Sequence, residues 1–252
     1  MTRPSSRVAI ELIPRDAQSL NADLDQVKNL VPGVTTINLP DLLRLPLRSW
    51  DGAALAHRQG FAAIPHIRAT DIAPTAPLPC AEQEGIREIL VIAGDPPPND
   101  SHPSWPNSSA QIIARYQREA PHLKVYAAFD PYRRAPWQEL DDIKQKRDAG
   151  AAGFFTQPLF DKRFFELSAS WLENDVVFWG LSPVIGPKAR GYWERVNHVV
   201  FPGDFEPSLD ANIAFARAIL TEIRARGDNA YLMPLRVALD AYLAPLADLL
   251  NT

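Results

Sequence analysis

The chain has one cysteine, Cys80, and only two methionines in 252 residues. A single cysteine excludes an internal disulfide framework and a cysteine zinc cluster. No stretch approaches the roughly 20 apolar residues that cross a bilayer. The opening residues, MTRPSSRVAIELIPRD, turn polar too soon for a secretory core. Positive charge is not in excess: 26 Lys and Arg stand against 30 Asp and Glu, a formal net charge of -4. A nucleic-acid surface is usually basic. The sequence has no internal repeat, no low-complexity tract and no evident linker. It reads as one cytoplasmic domain over residues 1–252, with no nucleic-acid or membrane partner and no metal site.

What is present is alternation. Short apolar runs at Arg7–Pro14, Val34–Pro40, Ala62–Ala69, Glu88–Gly94, Lys124–Asp130, Gly153–Phe160, Val176–Pro183 and Ala230–Leu235 are strand candidates. Most lack a polar/apolar alternation, as strands covered on both faces do. Helical patterns lie between them. Ser208 reads as an N-cap, followed by Leu209, Ile213, Ala216, Leu220 and Ile223 on one face and a stop at Gly227. Ser109–Ala120, Pro136–Ala149, Lys162–Glu173 and Leu235–Leu250 follow suit, the last kinked at Pro245. Thr70–Pro79 holds three prolines and is a poor helix. Eight β and α units in turn predict a single (β/α)8 TIM barrel. An open doubly wound sheet is the runner-up, and no GxGxxG follows the first strand to support it. The 24 prolines cluster at 74–79, 96–106 and 131–136, between periodic segments. Whether the first two clusters form a lid is open.

A barrel builds its site at the C-terminal strand ends. Those ends supply Glu11, His66, Asp95, Asp130, Arg133, Arg134, Thr156, Gln157 and Ser182. Ala93-Gly94-Asp95-Pro96-Pro97 puts a carboxylate on a glycine turn stiffened by proline. That is either an aimed carboxylate or a rigid turn with a solvated Asp. Glu11 lies in an Ile-Glu-Leu-Ile run, where burial demands a partner. It is a catalytic acid or half of an ion pair plugging the barrel. His66 is a hydrogen-bonded core histidine or a site residue. The Gln157 amide serves a ligand or the backbone at the mouth.

Taken in order, these landmarks resemble the catalytic domain of methylenetetrahydrofolate reductase. They are Ile10-Glu11-Leu12-Ile13-Pro14, Pro65-His66, Gly94-Asp95-Pro96-Pro97, Ala127-Ala128-Phe129 and Leu181-Ser182-Pro183-Val184. The most specific is Lys146-Arg147-Asp148-Ala149-Gly150-Ala151 followed by Phe155-Thr156-Gln157-Pro158-Leu159-Phe160-Asp161. The resemblance spans about residues 7 to 240. It implies reduction of 5,10-methylenetetrahydrofolate to 5-methyltetrahydrofolate, a step that serves methionine biosynthesis. Hydride would come from NADH or NADPH through FAD, and the protein would be a homo-oligomer. It makes Glu11 the general acid, Asp95 the residue that binds pterin and tunes the flavin, and Gln157 a pterin hydrogen-bond partner beside Phe160. Ser49, His66, Ala93, Gly94, Asp95, Ala127, Phe129, Arg133 and Lys146 become the flavin contacts.

The flavin side departs from the family pattern. Ala93 stands where the family has arginine, Phe129 where it has tyrosine and Arg133 where it has histidine. Gln145 replaces an arginine, Asp142 an asparagine and Met233 a tyrosine. Two alternatives follow: hydride passed directly from NAD(P)H, or a non-redox protein that binds tetrahydrofolate or handles its one-carbon unit. An unrelated aldolase or sugar-phosphate barrel is disfavoured, because Lys124 lies at the wrong end of its strand and no phosphate-binding glycine loop follows the late strands.

Overall fold

Eight parallel strands hydrogen-bond in chain order and close on themselves. The computed structural model describes residues 6–95 and 102–251. The strands are β1 (Val8–Glu11), β2 (Thr36–Leu39), β3 (Ala62–Arg68), β4 (Glu88–Ile92), β5 (Lys124–Phe129), β6 (Phe154–Pro158), β7 (Val177–Leu181) and β8 (Asn229–Leu232). Seven fall within the runs read from sequence, and β8 begins one residue earlier, at Asn229. The main helices are α1 (Ala17–Leu30), α2 (Ser49–Arg58), α3 (Ser109–Glu119), α4 (Pro136–Asp148), α5 (Lys162–Trp171), α6 (Gly186–Val196) and α7 (Leu209–Arg226). No helix among the described residues is long and apolar enough to cross a membrane.

Local chemistry sets the boundaries. The Asp16 carboxylate accepts from the Ser19 N–H and starts α1. Ser108 and Gln111 form a reciprocal capping box on α3. Ser208 caps α7, and Gly227 ends it with φ +70°. The closing helix differs from expectation. It begins at Leu239 and breaks into a five-residue α8 (Leu239–Leu243), a 3-10 turn over Ala244–Leu246 and a short α9 (Ala247–Leu250). Pro245 lies inside that turn, where the missing N–H and fixed φ fit a tighter coil.

Side chains on a strand alternate between faces, so the ladder register sorts lumen from exterior. Outward residues such as Ile37, Val91, Val125 and Trp179 pack with the helices in one large core. Inward residues make a separate core of Ala9, Ile64, Leu90, Tyr126, Phe155, Phe178, Tyr231 and Met233. Phe155 and Phe178 stack at 4.1 Å, and Tyr126 meets both edge-on. Below this layer the lumen is plugged by charge. Arg7 makes a two-point contact with Glu88 at 2.9 and 2.8 Å, and the Tyr126 hydroxyl donates to the same carboxylate at 2.9 Å. Burial alone would raise the Glu88 pKa, but Arg7, Tyr126 and Lys124 together outweigh it and the net shift is downward. The sequence allowed Glu11 to be the ion-pair plug. The plug is Arg7–Glu88, at the opposite end.

One irregularity shapes the upper rim. Between β6 and β7 the register slips by one residue from Phe155/Phe178 to Pro158/Gly180, a β-bulge. The Thr156 hydroxyl takes up the loose groups: it accepts from the Gly180 N–H and donates to the Gln157 carbonyl, both at 2.8 Å. A Cβ on Gly180 would lie 2.5 Å from the Thr156 carbonyl oxygen. Gly180→Ala is therefore expected to destabilise the protein by about 2–4 kcal/mol, measured by urea unfolding. A loss under about 0.5 kcal/mol would show that the bulge has slack.

Candidate active site

The C-terminal rim is polar where the layer beneath is apolar. Glu11 is the last residue of β1 and pairs in register with Asn38 of β2. His66 and Arg68 lie on the same face of β3 as Ile64. Gln157, pushed out by the bulge, is the one solvent-exposed residue of β6. Asp95 follows β4 by three residues and is exposed. Glu11 and Gln157 thus both lie toward the C-terminal ends of their strands and Asp95 on the loop after β4, while the cavity that Glu11 lines is walled by the loops after β1 and β8 and includes neither Asp95 nor Gln157. Pro96 and Pro97 lie outside the described residues.

Glu11 has a distinctive environment. Burial pushes its carboxyl from 4.5 to about 7, and a hydrogen bond from the Tyr231 hydroxyl to Oε2 only partly opposes this. No cation pairs with it among the described residues. A carboxyl in that range carries its proton in part of the molecules at neutral pH and can both hold and release it. On its outer side it lines a cavity of about 280 Å³ with Arg15, Asp23, Gln26 and Arg236, between the loops that follow β1 and β8.

Asp95 is held through its backbone. The Arg68 guanidinium donates to the Asp95 carbonyl oxygen and, at 3.1 Å, to Asp71. Asp71 also faces Arg48, which pairs with the buried Asp41. Gly94 sits at φ +87°, and a Cβ there would lie 2.5 Å from the Thr70 hydroxyl. The turn therefore needs glycine on both counts. The segment before β4 is also fastened: Arg115 donates to the carbonyls of Ala73 and Ala76, and Tyr116 to that of Pro79. That anchoring gives the first proline cluster the character of a fixed rim. Of the second, residues 96–101 lie outside the described residues.

The remaining nominated residues divide. His66 is buried, its pKa pushed down to about 3 by desolvation, and its Nε2 lies 3.3 Å from the Asn38 amide nitrogen. It is neutral at physiological pH. Ser49 is fully buried at the start of α2, and its hydroxyl donates to the His66 carbonyl at 2.7 Å. Ala127 and Phe129 face the helix layer, and Phe129 packs edge-on against Trp171. Lys146 is buried with its ammonium 2.7 Å from the Ala128 carbonyl and paired with Asp142. Phe160 is enclosed in an aromatic cluster with Phe201, Trp193 and Phe205. Half-buried Ala93 accepts from the Thr70 N–H, and Arg133 is exposed beyond β5.

Three rim or lumen residues escaped the sequence reading: Tyr231, Asn38 and Arg68. Arg68 was detectable, since it stands two positions beyond His66 on one strand and so shares its face. Tyr231 and Asn38 matter because of what they neighbour across the ladder.

A closed (β/α)8 barrel with a half-buried acid at the end of its first strand defines the class of protein. No protein-family model matches the chain, and no curated protein does. Solved structures match in fold. An uncharacterized protein from Clostridium thermocellum that binds two copies of 5-methyl-5,6,7,8-tetrahydrofolic acid aligns over 98% of this chain and 96% of its own, with TM-score 0.66 and 14% identity. Oxaloacetate acetylhydrolase aligns over 97% and 79%, with TM-score 0.56 and 12% identity. A 2,3-dimethylmalate lyase of the PEP mutase/isocitrate lyase superfamily aligns over 92% and 76%, with TM-score 0.56 and 13% identity. At these identities the likeness is one of fold.

Two predictions follow from Glu11. Its folded pKa of about 7 exceeds the ordinary 4.5, so its contribution to stability is complete below pH 4.5 and is lost as pH rises through 7. Glu11→Gln should gain up to about 3 kcal/mol over wild type between pH 4 and pH 8.5, read by urea unfolding at both. A gain equal at the two pH values would contradict the raised pKa. Tyr231→Phe removes a bond donated to the carboxylate, so the Glu11 titration should move further up. An unchanged midpoint by carboxyl NMR would show that the contact is idle.

Proposed function

We propose that the barrel mouth binds a tetrahydrofolate derivative and reduces its methylene group, 5,10-methylenetetrahydrofolate becoming 5-methyltetrahydrofolate. The observation that carries this is the Glu11 carboxyl, which burial raises into the neutral range, at the lumen face of the β1 end beside Asn38. The folate-binding barrel from Clostridium thermocellum, matched end to end, supports the ligand class.

In this reading each side chain has one task. Glu11 gives its proton to the bridging nitrogen. That carbon–nitrogen bond breaks, its electron pair stays on the nitrogen, and the methylene carbon becomes an iminium. NADH or NADPH delivers hydride to that carbon and leaves oxidised. The overall balance is one NAD(P)H and one proton consumed per methyl group formed. Asp95 accepts from the amino-pyrimidine edge of the pterin, and Gln157 bonds the ring from the facing strand. A positioned acid is worth about 10²- to 10⁴-fold in rate.

FAD fits poorly. A flavin dinucleotide needs cations or N–H groups for its pyrophosphate. Lys146 is already paired with Asp142 and a backbone carbonyl, Ser49 with the His66 carbonyl. Ala127 and Phe129 turn away from the lumen. Of the nominated flavin-side cations among the described residues, exposed Arg133 is the one not already engaged. Hydride is therefore taken directly from the nicotinamide in this reading. The same erosion favours a second reading, a non-redox protein that binds reduced folate.

The test is NAD(P)H oxidation dependent on methylenetetrahydrofolate, with 5-methyltetrahydrofolate binding followed by calorimetry. The isolated protein should be colourless, and Glu11→Gln should lose about 10²-fold or more in kcat while binding folate normally. Binding without any oxidation would leave the non-redox reading. Absence of both would remove the folate assignment.

A further inference from the structure

Asn38 carries a buried side-chain oxygen with no hydrogen-bond partner among the described residues. The residue is fully buried on β2. Leaving such a carbonyl unpaired costs about 1–3 kcal/mol, so a partner is to be expected. The amide nitrogen is accounted for, lying 3.3 Å from His66 Nε2. The oxygen needs a donor, and the ladder limits the choices. Asn38 pairs with Glu11 on one side and with Ile64 on the other. Ile64 has no donor to offer, and the facing nitrogen of His66 is engaged with the amide nitrogen. Glu11 remains. Its Oε2 accepts from Tyr231, so a proton on Glu11 resides on Oε1. Adjacent parallel strands lie about 4.8 Å apart, within reach for two side chains on one face.

We propose that Asn38 is a positioning residue whose side-chain carbonyl accepts the O–H of protonated Glu11 and so holds that carboxyl in its neutral, proton-donating form. A carboxylate could not satisfy Asn38, because both groups would be acceptors. A carboxylic acid satisfies it and is in turn kept protonated. His66 sets the sense of the amide: as a neutral ring accepting at Nε2, it draws the Asn38 NH2 toward β3 and leaves the oxygen for β1. When substrate seats, the acid exchanges this acceptor for the substrate nitrogen. The other groups around Glu11 are Tyr231 on β8, Arg15 and Asp23 at the start of the chain's first α unit, and Arg236 after β8. Arg15 and Asp23 pair with each other at 2.9 Å.

The proposal rests on the acid role of Glu11 for its functional meaning, but its test needs no turnover. Full-length protein labelled with 13C at glutamate carboxyls is titrated without folate, and Glu11→Gln assigns the resonance. Asn38→Ala should lower the Glu11 midpoint by about one unit, because the neutral form loses its acceptor. Asn38→Asp should raise it, through a like charge on the neighbouring strand. In an active enzyme the alkaline limb of kcat/KM should move with each. An unchanged midpoint in Asn38→Ala overturns the proposal. So does a rise, which would mean that the amide presents its NH2 to Glu11. Should Asn38→Ala fail to fold, a midpoint that stays put in Asn38→Asp has the same force.

Discussion

Everything in this protein depends on closure of the parallel ladder. Once eight strands join edge to edge, every second side chain must enter a lumen that water cannot fill. The chain meets that demand in three tiers. Arg7, Glu88 and Tyr126 close the lower end with a paired charge. An apolar tier built around stacked Phe155 and Phe178 fills the middle. The top tier, among the described lumen residues, carries polar groups with unfinished bonding. Glu11 has one oxygen engaged, Asn38 has one free, and Gln157 reaches solvent through a bulge.

The strands were legible in the sequence because closure leaves them apolar on both faces and bounded by proline, glycine and aspartate. Helices were legible in proportion to their buried stripe. The apolar face of α7 announced itself, while α6, which buries no residue, carried no such pattern. The helices α1 and α2 were also passed over, although the Asp16 cap was there to be read. Strand-end logic nominated Glu11 and Gln157 because it depends only on where a strand stops, and both do lie toward their strands' C-terminal ends. It could not tell which way a neighbour points. Ala127 and Phe129 belong to the right strand and the wrong face. Asn38 acquires meaning only from the register that sets it beside Glu11, and Tyr231, opposite Ala9, from the hydroxyl it extends to that acid.

The two sides of the rim have diverged in character. Around β5 and α4 the charged groups are already satisfied by one another: Lys146 with Asp142, Arg134 with Glu139 and Asp142. Such pairs brace a fold and leave little for a ligand. Around β1, β2 and β8 the bonding is less complete: Glu11 has no cation beside it among the described residues, and the buried Asn38 oxygen has no partner among them. The same Met233 that takes the place of an expected tyrosine stands two positions beyond Tyr231, on one face of the last strand. A phenol is thus present one tier deeper, against the acid.

The sealed lower end has a further consequence. With ions and stacked rings beneath it, the Glu11 carboxyl meets the outside through the cavity between the loops that follow β1 and β8. In the proposed reaction that cavity would be the route by which the acid regains its proton. A substrate seated across it would then make reprotonation and binding take turns.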